Sequence, residues 1–368
     1  MFAGNGWVKH IREELTGAIG IHPVLRTKIQ TTLAYIEKSD PVPFFHLDGP
    51  GKCGPLEVYE YPPHERPFDF SLLIEDVLST NTNETDIMVV DSLSGDTEPS
   101  WDDDGCGLSR LLGSYITTYT HTEQSRLLSA FDVPWSKRGM WTMRPKFHAP
   151  AGFSGIIRKG KVAYQSAPDD YYSTTFTQPG QLTYPHVDYY GGSQIVVHLS
   201  GKKLWLIWYP TGENLAELWK SHLEDNVRVE YEQDLVAWIC RLKGAIALYV
   251  DKPVMFRLPA FAIHAVISFT TSAHSGCYAY FEREFQVTEL VAQCVMHVAK
   301  LPARTREDNK FVQRWIDMMV NGDLEMWKKV AEKSKDRETF AKIYSWRDNM
   351  KKEMNELQRR IDTCGGAE

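Results

Sequence analysis

The feature that most constrains how this chain can fold is a pair of short segments that must meet although far apart. Thr183-Tyr184-Pro185-His186-Val187-Asp188 places an imidazole and a carboxylate two residues apart, and Pro259-Ala260-Phe261-Ala262-Ile263-His264-Ala265-Val266 carries a lone histidine downstream. In an extended segment, residues i and i+2 point to the same side, so His186 and Asp188 are expected to converge on one point. That geometry suits a divalent metal. With His264 as third ligand, two imidazoles and one carboxylate would hold one face of the ion and leave its other positions open. His-x-Asp tripeptides also arise by chance, and most such histidines are structural, so the neighbouring residues have to carry the argument.

They do so through Lys203. Gly201-Lys202-Lys203-Leu204-Trp205-Leu206-Ile207 reads as an apolar strand entered by a cationic side chain. A buried ammonium is costly unless an anion accompanies it. Lys203 either snorkels or pairs with a neighbouring carboxylate, or it binds the carboxylate of a ligand, with the Thr183 hydroxyl as a second donor.

Taken together, Thr183-x-x-His186-Val187-Asp188, Tyr190-Gly191-Gly192-Ser193, the 201–207 segment, Pro210-Thr211 with Asn214-Leu215 and Trp219, and Ile263-His264-Ala265-Val266 form ordered blocks. In these blocks the chain resembles the JmjC oxygenases, and most of all the branch containing the F-box and plant-homeodomain-finger histone lysine demethylases. The resemblance implies Fe(II) held by His186, Asp188 and His264, which are then the catalytic residues, and 2-oxoglutarate held by Thr183 and Lys203. It also implies a double-stranded β-helix, the jelly roll of that family, mainly β with α additions. O2 would be a cosubstrate, and the acceptor would be a protein, with a histone tail as one candidate. The related demethylases follow the last ligand with a Gly-Gly-Asn-containing strand, where this chain has Ser275-Gly276-Cys277-Tyr278. Lysine demethylation and stable hydroxylation therefore both stay open. So do an oxygenase acting on nucleic acid or a small molecule, and an inactive JmjC-like interaction module.

Composition bounds these readings. With 368 residues and 43% hydrophobic content, the chain can bury a large core. Forty-one basic against 48 acidic residues give −7, so no general field attracts nucleic-acid phosphates. Six scattered cysteines without a Cys-x-x-Cys pair argue against zinc fingers and a disulfide framework. No secretory signal or membrane-length apolar run is visible, so an intracellular protein is expected, in the nucleus ahead of the cytoplasm.

Three regions follow along the chain. Residues 1–40 read as two helices, with Trp7, Ile11 and Leu15 on one stripe, Leu25, Ile29, Leu33 and Ile36 on the other, and a break at 20–23. Residues 41–285 read as the JmjC-like jelly-roll domain, its motif core at 170–285. Within it, 75–105 carries ten acidic residues and no Lys or Arg, expected as a solvated loop or as a docking surface for a basic partner. Residues 107–131 read as helical. The 171–177 segment reads as a strand beside the metal-bearing one. His198 reads as structural, and His274 as a spare imidazole outside the ligand set. Residues 286–368 read as helices that cover the barrel or pack on one another; a homodimer through them is the second reading.

Overall fold

The computed structural model describes residues 4–47, 51–53, 56–59, 88–91, 97–98, 128–134, 162–165, 173–188, 192–223, 235–300, 313, 316, 319–320 and 324–364. In chain order these form α1 (Trp7–Gly17), α2 (Pro23–Lys38), β1 (Phe44–Leu47), β2 (Gly51–Cys53), β3 (Leu56–Tyr59), β4 (Met88–Asp91), β5 (Thr97–Glu98) and β6 (Leu128–Pro134). Next come β7 (Val162–Gln165), β8 (Ser173–Thr177), β9 (Leu182–His186), β10 (Ser193–Ser200), β11 (Lys203–Trp208), α3 (Gly212–Leu223) and α4 (Leu235–Arg241). The chain continues with β12 (Ile246–Val250), β13 (Val254–Leu258), β14 (Ile263–Ser268), β15 (Ser272–Phe281), α5 (Phe285–Ala299), α6 (Leu324–Lys333) and α7 (Arg337–Cys364).

The strands make two mostly antiparallel sheets with helices at both ends of the chain. One is ordered β1-β12-β11-β14-β9, in which only β1 pairs parallel. The other is ordered β2-β3-β13-β10-β15-β8-β6-β4-β5, with β7 also on β15. Strand β11 shows why the sheets stack as they do. All six of its residues are buried, as a strand covered on both faces requires. Trp205 and Ile207 enter a core with Val196, Phe256 and Leu258 of the other sheet. Leu204, Leu206 and Trp208 instead join Trp7, Ile11, Leu25 and Leu33 of the N-terminal helices. Each such large apolar side chain taken from water contributes about 1.5–3 kcal/mol.

The N-terminal pair is as its periodicity predicts: Trp7, Ile11 and Leu15 in α1, and Leu25, Ile29, Leu33 and Ile36 in α2, are all buried. The Trp7 indole donates to Val42 O at 3.0 Å and stacks on Phe44, which fixes α1 to the first strand. In α7, Ile343, Trp346, Met350, Met354 and Leu357 form one stripe, buried within the chain alongside Phe285, Met296 and Trp327. Among the described residues, no helix is long and apolar enough to cross a membrane.

Two local expectations need correction. Residues 128–131 are strand, not helix, because β6 pairs with β4 and β8, and ladder formation overrides local propensity. The 173–177 strand does not run beside the metal-bearing one. It pairs β15 and β6, and the chain then crosses between sheets at Gln178-Pro179-Gly180-Gln181, where Gly180 takes φ 89°. The acidic stretch lies outside the described residues apart from β4 and β5, as do 107–127.

Candidate metal centre

The register of β9 on β14 explains how residues so far apart in sequence meet. His186 sits directly opposite His264, and Thr183 opposite Val266, so three steps on β9 face two on β14. That irregularity is a bulge around Tyr184-Pro185. It turns Thr183 and His186 to the same side, which strict alternation over three residues would forbid. Proline suits the place because it has no N–H for a ladder, and β9 ends the sheet among the described strands.

Strand β9 stops at His186, and Asp188 lies two residues beyond its end, yet its carboxylate converges with the two imidazoles. His186 Nε2 lies 3.9 Å from one Asp188 oxygen, and His264 Nε2 lies 3.9 Å from the other. The three ligand atoms fall within 4.8 Å of one another. Ligands about 2.1 Å from a shared ion and at right angles stand about 3 Å apart, so side-chain movements of about an ångström close this group on a metal.

The backbone fixes which nitrogen each imidazole presents. His186 Nδ1–H donates to Tyr184 O at 2.8 Å, and His264 Nδ1–H donates to Ala262 O at 3.1 Å. Both Nε2 lone pairs are thereby left for the space beside Asp188. Metal-binding histidines are oriented by this kind of outer hydrogen bond. Burial, with help from nearby His186, holds His264 well below the usual histidine range, so it is neutral and ready to ligate. Withdrawal from water pushes the Asp188 carboxyl up, opposed by His186; a bound cation would reverse that push. Just before β14, Phe261 takes φ 58°, a left-handed conformation that costs an aromatic residue about 1–2 kcal/mol.

Lys203 is fully buried on the face that carries Trp205, Ile207 and, across the ladder from Ile207, His264. It neither snorkels nor pairs with a carboxylate among the described residues. Its Nζ lies 2.8 Å from Nδ1 of His274, on β15 of the opposite sheet. Burial alone lowers its pKa from 10.5 to about 7. The Trp205 ring stands near both His264 (5.7 Å) and His274 (5.3 Å), so one indole joins the metal group to the lysine.

In sequence His274 is a spare imidazole among small residues, Ser272-Ala273-His274-Ser275-Gly276, with nothing there that points to Lys203. His198 is structural as expected: it is fully buried, and its Nε2–H donates to Gly201 O at 2.9 Å. Gly201 sets the turn that brings Lys203 inward. Its φ is +86°, and a Cβ there would meet Ser272 Cβ at 2.2 Å and Thr271 O at 2.5 Å. Thr183 is half-buried on β9.

His186, Asp188 and His264 therefore form a group able to bind a metal ion, with Lys203 a short way along the same sheet face. No protein-family model matches the chain, and no curated protein matches it in sequence.

Proposed function

We propose that this protein is an Fe(II)- and 2-oxoglutarate-dependent dioxygenase of JmjC type that hydroxylates a protein substrate, with its two sheets forming a jelly roll. The observation that carries the reading is the pairing of a His-Asp-His group with a buried lysine that lacks a carboxylate partner among the described residues. A metal site accounts for the first and a dicarboxylate ligand for the second.

Lys203 and His264 lie on one sheet face, four strand residues apart by register, about 13 Å between their backbones. A short dicarboxylate can span what the lysine side chain leaves. His186, Asp188 and His264 would hold the iron, and Lys203 with Thr183 would hold the far carboxylate. The bound metal with 2-oxoglutarate and O2 would supply the oxidant for a substrate C–H bond, releasing succinate and CO2. The chain's own contribution is orientation: backbone-fixed imidazoles, a buried lysine amine, and an apolar wall of Trp205, Val266 and Phe256 that excludes water.

A methylated histone lysine is the first substrate class to test, since oxidation of an N-methyl carbon there releases formaldehyde. The test is succinate formation by anaerobically iron-loaded protein given 2-oxoglutarate and O2, with and without methylated histone peptides, against a His186→Ala control. Turnover lost in the control supports the reading, and formaldehyde with one peptide identifies demethylation. Failure to bind iron or 2-oxoglutarate refutes it.

A further inference from the structure

The second sheet contributes a residue to the ligand-binding face that the metal group does not use. Lys203 on β11 and His274 on β15 meet across the space between the sheets at 2.8 Å. When Lys203 is charged it has only donors, so Nδ1 of His274 must accept and the imidazole proton must sit on Nε2. That Nε2–H has no hydrogen-bond partner among the described residues. His274 also keeps accessible surface although its neighbour Lys203 has none. An ammonium and an imidazole N–H are thus offered together, with no acceptor of opposite charge among the described residues.

Resting on the function proposed above, we infer that His274 is a second donor to the cosubstrate carboxylate that Lys203 binds, and that this Lys–His clamp takes up a proton as the carboxylate enters. The clamp holds one ligand end from two sheets, so it also registers the sheets against each other around the bound cosubstrate.

The surrounding charges favour this coupling. Facing the pair are His198 from β10, held to about 4 and therefore neutral; His264 from β14, also neutral; and Asp251 after β12, which acts on His198. Burial, then Lys203, keeps His274 itself well below the usual histidine range, so Lys203 is where the proton goes. The empty site loses that proton as pH rises through about 7, whereas a bound carboxylate retains it. Affinity is accordingly full at lower pH and falls above pH 7.

The test is calorimetric titration of 2-oxoglutarate into Mn(II)-saturated protein from pH 6.5 to 8.5, in two buffers of different protonation enthalpy. The native protein should lose about fifteenfold in affinity between pH 7.0 and 8.5, with uptake approaching one proton per ligand. His274→Leu should weaken binding at pH 7 about tenfold or more while keeping the pH profile, as loss of a charge-assisted donor requires. His274→Gln, with an amide oxygen to accept from Lys203 and an amide N–H to donate, should recover most of that loss. Lys203→Met should leave weak, pH-independent binding. Native binding that is tight but flat with pH, or unchanged affinity in His274→Leu, overturns the clamp and leaves the oxygenase reading standing. No 2-oxoglutarate binding by Mn(II)-saturated native protein at any pH overturns both.

Discussion

Replacing Lys203 by methionine should make the ligand-free protein more stable while leaving only weak cosubstrate binding. Lys203 is fully buried, and its titration has fallen from 10.5 to about 7 through burial alone. That gap corresponds to about 5 kcal/mol. The sign follows from proton counts. Between about pH 7 and 10.5 the unfolded chain binds this proton and the folded one does not, so the native protein gains stability as pH rises across that window, by about 1.4 kcal/mol per pH unit. At pH 7 nearly the whole penalty is present. Methionine fills similar volume and carries no charge, so at pH 7 the variant should exceed the native protein by several kcal/mol, up to about 5. The difference should shrink steadily toward pH 10. Urea denaturation of metal-free, cosubstrate-free protein at pH 7, 8 and 9 measures it. Adding 2-oxoglutarate at a hundredfold its Kd, with metal, should return about 2.7 kcal/mol to the native protein and nothing comparable to the variant. A variant less stable than the native protein at pH 7, with no convergence at higher pH, would mean that Lys203 already has a counter-anion within the fold, and the argument for a ligand would collapse.

Other perturbations probe the supporting structure. Mn(II) should raise the melting temperature of the native protein, and His264→Ala or Asp188→Ala should abolish that rise, read by thermal unfolding with and without the ion. Gly201→Ala forces a Cβ against Ser272 and Thr271 O at positive φ, and should cost about 2–4 kcal/mol in urea titrations; a cost under about 0.5 kcal/mol would contradict the turn geometry. Arg257 is buried and binds Glu284, Ser193 and Glu57. Arg257→Met should therefore cost about 3 kcal/mol by stranding Glu284, an effect that acidification reduces as that carboxyl, already pushed up by burial, takes a proton.

Much of this protein is legible in its residues because local chemistry leaves few choices. The helical stripes of Trp7, Ile11 and Leu15 and of Leu25, Ile29, Leu33 and Ile36 announced their buried faces, since apolar groups at that period have only one side on which to leave water. His186 and Asp188 could be singled out by their i, i+2 spacing and His264 by its Ile-His-Ala-Val setting in the resembled blocks, whereas Lys203 stood out because an ammonium is costly in an apolar strand without a task. What the linear order leaves undecided is pairing. Whether 173–177 lies beside 182–186 or across the molecule depends on which ladder competes better, and a strand's own residues carry no record of its partner. The bulge at Tyr184-Pro185, which turns Thr183 and His186 to one side, exists only through the offset between β9 and β14. His274 shows the same limit: its neighbours in sequence name no partner for it, and only the stacking of one sheet on the other brings it to Lys203. Side-chain character is a property of single residues, whereas the identity of a neighbour across a sheet is a property of the whole closed chain.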